Sequence, residues 1–132
     1  MRNEMEIKDD VYHLLKGSDL MKNVSGNLSK TIRPADSTKE DVVISVLTPN
    51  LNRQVQEVYL NINVYVADIK RGTQYEENTA RLRELMTIAE KTLKLARGMH
   101  YRLTLEEQKS YDVPGKNEHF INNKVLYQFC NE

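Results

Sequence analysis

Acid–base, nucleophilic or metal chemistry in this 132-residue chain would have to start from His13, His100, His119, Cys130 and a few well-placed carboxylates. The three histidines are far apart, with no H-x-x-H or H-x-x-x-H pair. A zinc site needs three or four ligands converging from defined spacings, so no metal is expected. Asp68, closing a long alternating stretch, is the best-placed carboxylate for proton transfer. Glu118 and His119 are the other candidates, but neighbours on a strand point to opposite faces. Cys130 would need a nearby base to act as a nucleophile, and burial in a last strand is its expected fate. The five glycines sit singly, without a P-loop or G-x-G-x-x-G, so no phosphate or cofactor site is expected. No enzyme is expected from these residues.

The elements that would position them are clearer. Val58, Leu60, Ile62, Val64 and Val66 alternate with Tyr59, Asn61, Asn63 and Tyr65, the period-two pattern of a half-buried strand. Before it, Val42–Leu47 is apolar and β-branched and reads as a strand covered on both faces. The turn-rich Thr48–Arg53 predicts an antiparallel hairpin between the two. Ile7, Val11, Leu14 and Leu15 give one helical stripe stopped by Gly17, and Ser18-Asp19 caps a short second turn. Leu28, Lys30 and Ile32 alternate into a short strand ended by Pro34, followed by a polar loop over Ala35–Glu40.

Thr73 and Glu76 have capping-box spacing, which predicts a long helix from about Gln74 to Arg97 with Gly98 as its stop. Its stripe is Leu82, Leu85, Met86, Ala89, Leu93 and Ala96. Ile88 and Leu95 fall roughly 120–140° off that stripe at about 100° per residue, a second apolar edge. His100 then lies just past a helix C-terminus, where a cation is favoured. Two strands close the chain, one through Tyr101, Leu103 and Leu105 and one over Ile121–Cys130. The polar Glu106–His119 between them is either extended strand or a functional arm. The expectation is one α+β domain over 1–132, a mostly antiparallel sheet in the order helix, strand, strand, strand, long helix, strand, strand.

Composition narrows the partners. Lys plus Arg and Asp plus Glu both number 19, so the formal charge is zero and phosphates exert no long-range pull. No specific nucleic acid is expected. Tyr59 and Tyr65 share a strand face, but Asn61 and Asn63 lie between them, which suits a partly exposed surface or subunit contact better than base stacking. The charged start and the lack of a long apolar run predict no export signal and no membrane span. A single cysteine suits a reducing compartment.

The leading helix, the strand near Ile32-Arg33-Pro34, the Val42–Leu47 strand and the Val-x-Leu-x-Ile-x-Val-x-Val-x-Asp run of Val58–Asp68 together resemble a known family. The Tyr75…Arg81-Leu82…Leu85 helix and closing strand pair complete the pattern. It is similar to the tail-completion proteins of long-tailed bacteriophages and prophages, also described as tail-terminator or head–tail joining proteins. The resemblance implies a non-enzymatic subunit forming a homo-oligomeric ring, typically a hexamer, that caps the tail tube and meets the head connector. Its implied partners are itself, tail-tube and head-connector proteins; its location is the virion tail, with the host cytoplasm during assembly. On this reading Pro49–Gln54 and Tyr111–Lys116 are the expected contacts, with Asn50, Arg53, Gln54, Ile88, Leu95 and Tyr111 as candidate interface residues. The alternative is a small non-enzymatic binding or accessory module encoded on a prophage or mobile element.

Overall fold

The alternation of Val58–Val66 builds the centre of a six-stranded sheet. The computed structural model describes residues 2–47 and 56–130, and only the backbone of Gln56. The predicted Thr48–Arg53 turn, with Asn50, Arg53 and Gln54, lies outside the described residues. The elements are α1 (Glu4–Lys16), α2 (Asp19–Asn23), β1 (Leu28–Ser29), β2 (Val42–Val46), β3 (Gln56–Ala67), β4 (Ile69–Arg71), β5 (Gln74–Glu76), α3 (Thr79–Leu93), β6 (Leu95–Arg97), β7 (Tyr101–Asp112) and β8 (Glu118–Phe129). The sheet order is β1-β2-β3-β8-β7-β6, and β4 and β5 form a separate ribbon. Every pair is antiparallel except β1 with β2. The fold is α+β with a mostly antiparallel sheet.

Register explains which residues form the core. Val42 pairs with Val64 and Ile44 with Ile62, while Val64 pairs with Ile121 and Leu60 with Val125. These side chains share one face and are buried with Ile7, Val11 and Leu15 of α1 and Leu82, Leu85, Ala89 and Leu93 of α3. Each such aliphatic side chain taken out of water stabilises by roughly 1.5–3 kcal/mol. The other face carries Tyr59, Asn61, Asn63 and Tyr65, as the alternation predicts. Val43 and Ser45 there are half-buried rather than buried, so β2 is fully covered on one side only.

Several expectations are corrected. The capping box is at Asn3 and Glu6, where Asn3 Oδ1 accepts from Glu6 N at 2.9 Å and Glu6 Oε1 accepts from Asn3 N at 3.0 Å. Thr73 instead occupies the two-residue turn between β4 and β5, beside Gly72 at φ 62°. Glycine adopts that conformation without strain, and a hairpin turn of this length needs it. Helix α3 therefore starts later, with Asn78 as its cap accepting from Arg81 N at 3.2 Å. It also ends earlier. Leu95, Ala96 and Arg97 pair with Thr104, Leu103 and Arg102, so sheet pairing wins over helical periodicity there.

Leu95 is consequently on β6 and 73% exposed, not part of a second helix edge, and Ile88 packs half-buried against the core. His100 lies in the β6–β7 turn, with β6 between it and the end of α3 in the chain. The Leu28–Ile32 strand shrinks to Leu28–Ser29, with Ile32 75% exposed. Most of Glu106–His119 is strand: β7 continues to Asp112, β8 begins at Glu118, and Gly115 at φ 75° turns the chain between them. Because β6 covers only Arg102–Thr104, the far half of β7 is an open sheet edge beyond a bulge at Leu105/Glu107.

Candidate functional site

Glu40 and Asp41 enter β2 side by side, and strand geometry sends them in opposite directions. Glu40 turns to the helices and takes Arg81 Nε and Nη2 on its two oxygens, both at 2.7 Å. Asp41 turns to the other face and receives Arg33 Nε at 2.8 Å and Ser37 Oγ at 2.5 Å. Arg33 then reaches Glu118 through Nη1 at 2.7 Å and Nη2 at 2.5 Å, and lies over the Tyr65 ring at 4.2 Å from its centroid. The Arg33, Asp41 and Glu118 side chains are only 9%, 2% and 5% exposed. A guanidinium between two carboxylates keeps all three charges satisfied where neither alone would be.

Gly26 makes this possible. Its N–H donates to Glu40 O at 3.2 Å, and a Cβ there would lie 2.6 Å from Asp41 N and Glu40 C. The hydrogen bond from Arg81 holds the Glu40 carboxyl below its ordinary value of 4.5, against burial. For Asp41, burial pushes the carboxyl up, but Ser37, the Asn27 N–H and Arg33 together outweigh it and the net direction is down.

Next to this network the structure brings together two of the sequence candidates. His119 Nδ1 is 2.7 Å from Asp68 Oδ1, and the two side chains are 19% and 7% exposed. Glu118 is not with them: it turns to Arg33, as strand alternation predicted. A groove of about 470 Å³ runs past Asp68, Glu118, Ser37, Tyr75 and Lys116, but the His119 ring is not in its wall. The Ser37 hydroxyl donates to Asp41 rather than to the His119–Asp68 pair. Cys130 is exposed, contrary to the burial expected of it. His13 is exposed on α1, and among the described residues no three His, Cys, Asp or Glu side chains are placed to hold a metal ion. No helix among the described residues is long and apolar enough to cross a membrane.

The uncovered sheet face is built of aromatic and amide groups. Tyr65, Phe120 and Tyr111 line up across β3, β8 and β7, with ring centroids 5.6 and 5.5 Å apart. Asn122 Nδ2 donates to Asn63 Oδ1 at 2.8 Å, and Lys124 sits 4.7 Å over Tyr59. Tyr111, a candidate contact from the sequence, is 46% exposed at the end of this row.

At the opposite end of β8, Asp10 of α1 accepts Tyr127 Oη at 2.6 Å and Arg2 Nη2 at 2.7 Å, and its backbone O accepts Tyr101 Oη at 3.0 Å. Tyr101 and Tyr127 stack at 5.1 Å. Burial pushes the Tyr101 phenol up to about 12, and burial with the Asp10 hydrogen bond raises Tyr127 further. Sequence reasoning missed both networks; the one available signal was the acidic pair Glu40-Asp41 set directly before an apolar strand.

Among the solved structures that share this fold is one that covers nearly the whole chain. It is a chain described as part of the virion of a native gene transfer agent (GTA) particle, 12% identical, with a TM-score of 0.55 and 93% of each chain covered. No family model matches the sequence, and no curated protein matches it. At that identity the likeness establishes the arrangement of elements, end to end.

Proposed function

We propose that this chain is a structural virion protein that caps a phage-type tail tube and joins it to the head connector as a homo-oligomeric ring. The observation that carries the reading is the two-way 93% coverage by a virion-particle chain, so the likeness spans nearly all of both chains. The uncovered aromatic and amide face, the open β7 edge and the exposed Leu95 support it by offering surface to other subunits. Activity on this reading is geometric, and no reacting centre is required. A ring grows by heterologous contacts that close on themselves.

Deleting the gene and imaging the particles by electron microscopy tests the proposal. Tail tubes of uncontrolled length and unattached heads are expected; normally joined particles would refute it. The alternative, a small binding module, draws on the groove beside Asp68 and Tyr75. It predicts a monomer that takes a defined small ligand there, measurable by calorimetry, with particle assembly unaffected when Tyr75 is replaced by Ala.

A further inference from the structure

We infer that the far half of β7 pairs with the same segment of a second copy, in an antiparallel two-fold contact centred on Ser110. Val113 N donates to Glu118 O at 2.9 Å and His100 O accepts from Cys130 N at 2.7 Å, which fixes which residues face β8 at each end of β7. In an antiparallel ladder alternate residues turn their N–H and C=O to opposite sides. Beyond the bulge, Gln108, Ser110 and Asp112 therefore turn theirs away from β8. Since β6 reaches no further along β7 than Thr104, these groups have no strand partner among the described residues. An open edge of this kind is a template for a further strand unless something blunts it.

The side chains select both the partner and the register. The segment carries both charge signs, in Glu106, Glu107, Lys109 and Asp112, so it is not blunted by like-charge repulsion against itself in every alignment. With the dyad at Ser110, Gln108 and Asp112 of one copy meet Asp112 and Gln108 of the other in narrow pairs that exchange both backbone bonds. Lys109 then lies opposite the half-exposed Tyr111 of the second copy on the aromatic face, a favourable cation–π placement. Moving the dyad to Lys109 sets two ammonium groups face to face. Moving it to Gln108 runs the ladder into the bulge at Glu106, and moving it to Tyr111 opposes Gln108 with Pro114, which has no N–H. In the Ser110 register the bulge and Pro114 oppose each other beyond the ladder, which leaves the pairs within Gln108–Asp112 free of these faults.

A two-fold contact closes at two copies. It keeps both α3 helices on one side of the joined sheet and brings together the two grooves of about 320 Å³ lined by Leu82, Met86 and Ser110. The inference does not rest on the ring proposal, whose contacts are heterologous.

Two variants test it. In a Cys130→Ser background, Ser110→Cys places two thiols on residues about 5.5 Å apart, within disulfide reach, so mild oxidation should convert most of the protein to a covalent dimer. Ser110→Pro removes an N–H that the home sheet does not use and should leave the fold intact at an edge position. It should weaken self-association at least tenfold by light scattering or sedimentation. No cross-link with Ser110→Cys, or unchanged association of a folded Ser110→Pro protein, overturns the inference.

Discussion

At one end of β8, Asp41 and Glu118 share the guanidinium of Arg33; at the other, Asp10 receives two tyrosine hydroxyls and the arginine of the N-terminal segment. Both arrangements tie a loop or helix to the sheet. The first does so with ions almost shut off from water, the second with a stacked phenol pair whose rings bury apolar area and whose hydroxyls reach a carboxylate and a carbonyl. Buried ions depend on every partner being present, because each lost partner strands a charge. The phenols lose one hydrogen bond at a time while their rings remain packed. The difference predicts a brittle end and a tolerant end.

Breaking the brittle end should have the largest effect. Arg33→Met leaves Asp41 and Glu118 facing each other without a cation and should cost about 3–5 kcal/mol in urea unfolding. A loss below about 1 kcal/mol would show that the ionic network is dispensable. Gly26→Ala drives a methyl group into the Glu40–Asp41 backbone and should cost about 1–3 kcal/mol by the same measurement. Tyr127→Phe keeps the stacked ring, removes the bond to Asp10, and should cost about 1 kcal/mol.

The two ends should also answer to opposite extremes of pH. The Glu40 and Asp41 carboxyls are depressed in the folded protein, so the stability they add is present above their ordinary values of 4.5 and 3.8 and is lost as pH falls through the folded values. The Tyr101 and Tyr127 phenols are raised, so their contribution is present below the ordinary value of 10.0 and declines as pH rises above it. Thermal melts across pH should therefore show an acid limb that weakens in Arg33→Met and an alkaline limb that weakens in Tyr127→Phe. Melts in which each substitution alters the wrong limb would undo the comparison.

The strands were legible because burial on one face writes itself into alternate positions, as from Val58 to Val66. The end of α3 was not: Leu93, Leu95 and Ala96 are apolar at spacings compatible with a helix, and only pairing with Leu103 and Thr104 turns the latter two into strand. Thr73 and Glu76 spell a cap as well as Asn78 does, yet the turn at Gly72 claims them first. The networks were least legible of all. Arg33 and Glu118 lie 85 positions apart, and no local pattern marks two residues whose meeting depends on the whole sheet. Asp68 and His119 were each singled out, but their contact needed β3 and β8 in register.

Strand β8 comes last along the sheet's chain order but sits between β3 and β7. Until it has left the ribosome, β3 can pair only with β2 and β7 only with β6, and their other edges and apolar faces wait for a centre that does not yet exist. Loop-closure entropy is then met late and in one step, which makes for slow, all-or-none maturation. Chains halted before Glu118 should accumulate as protease-sensitive, aggregation-prone fragments rather than as partly finished subunits.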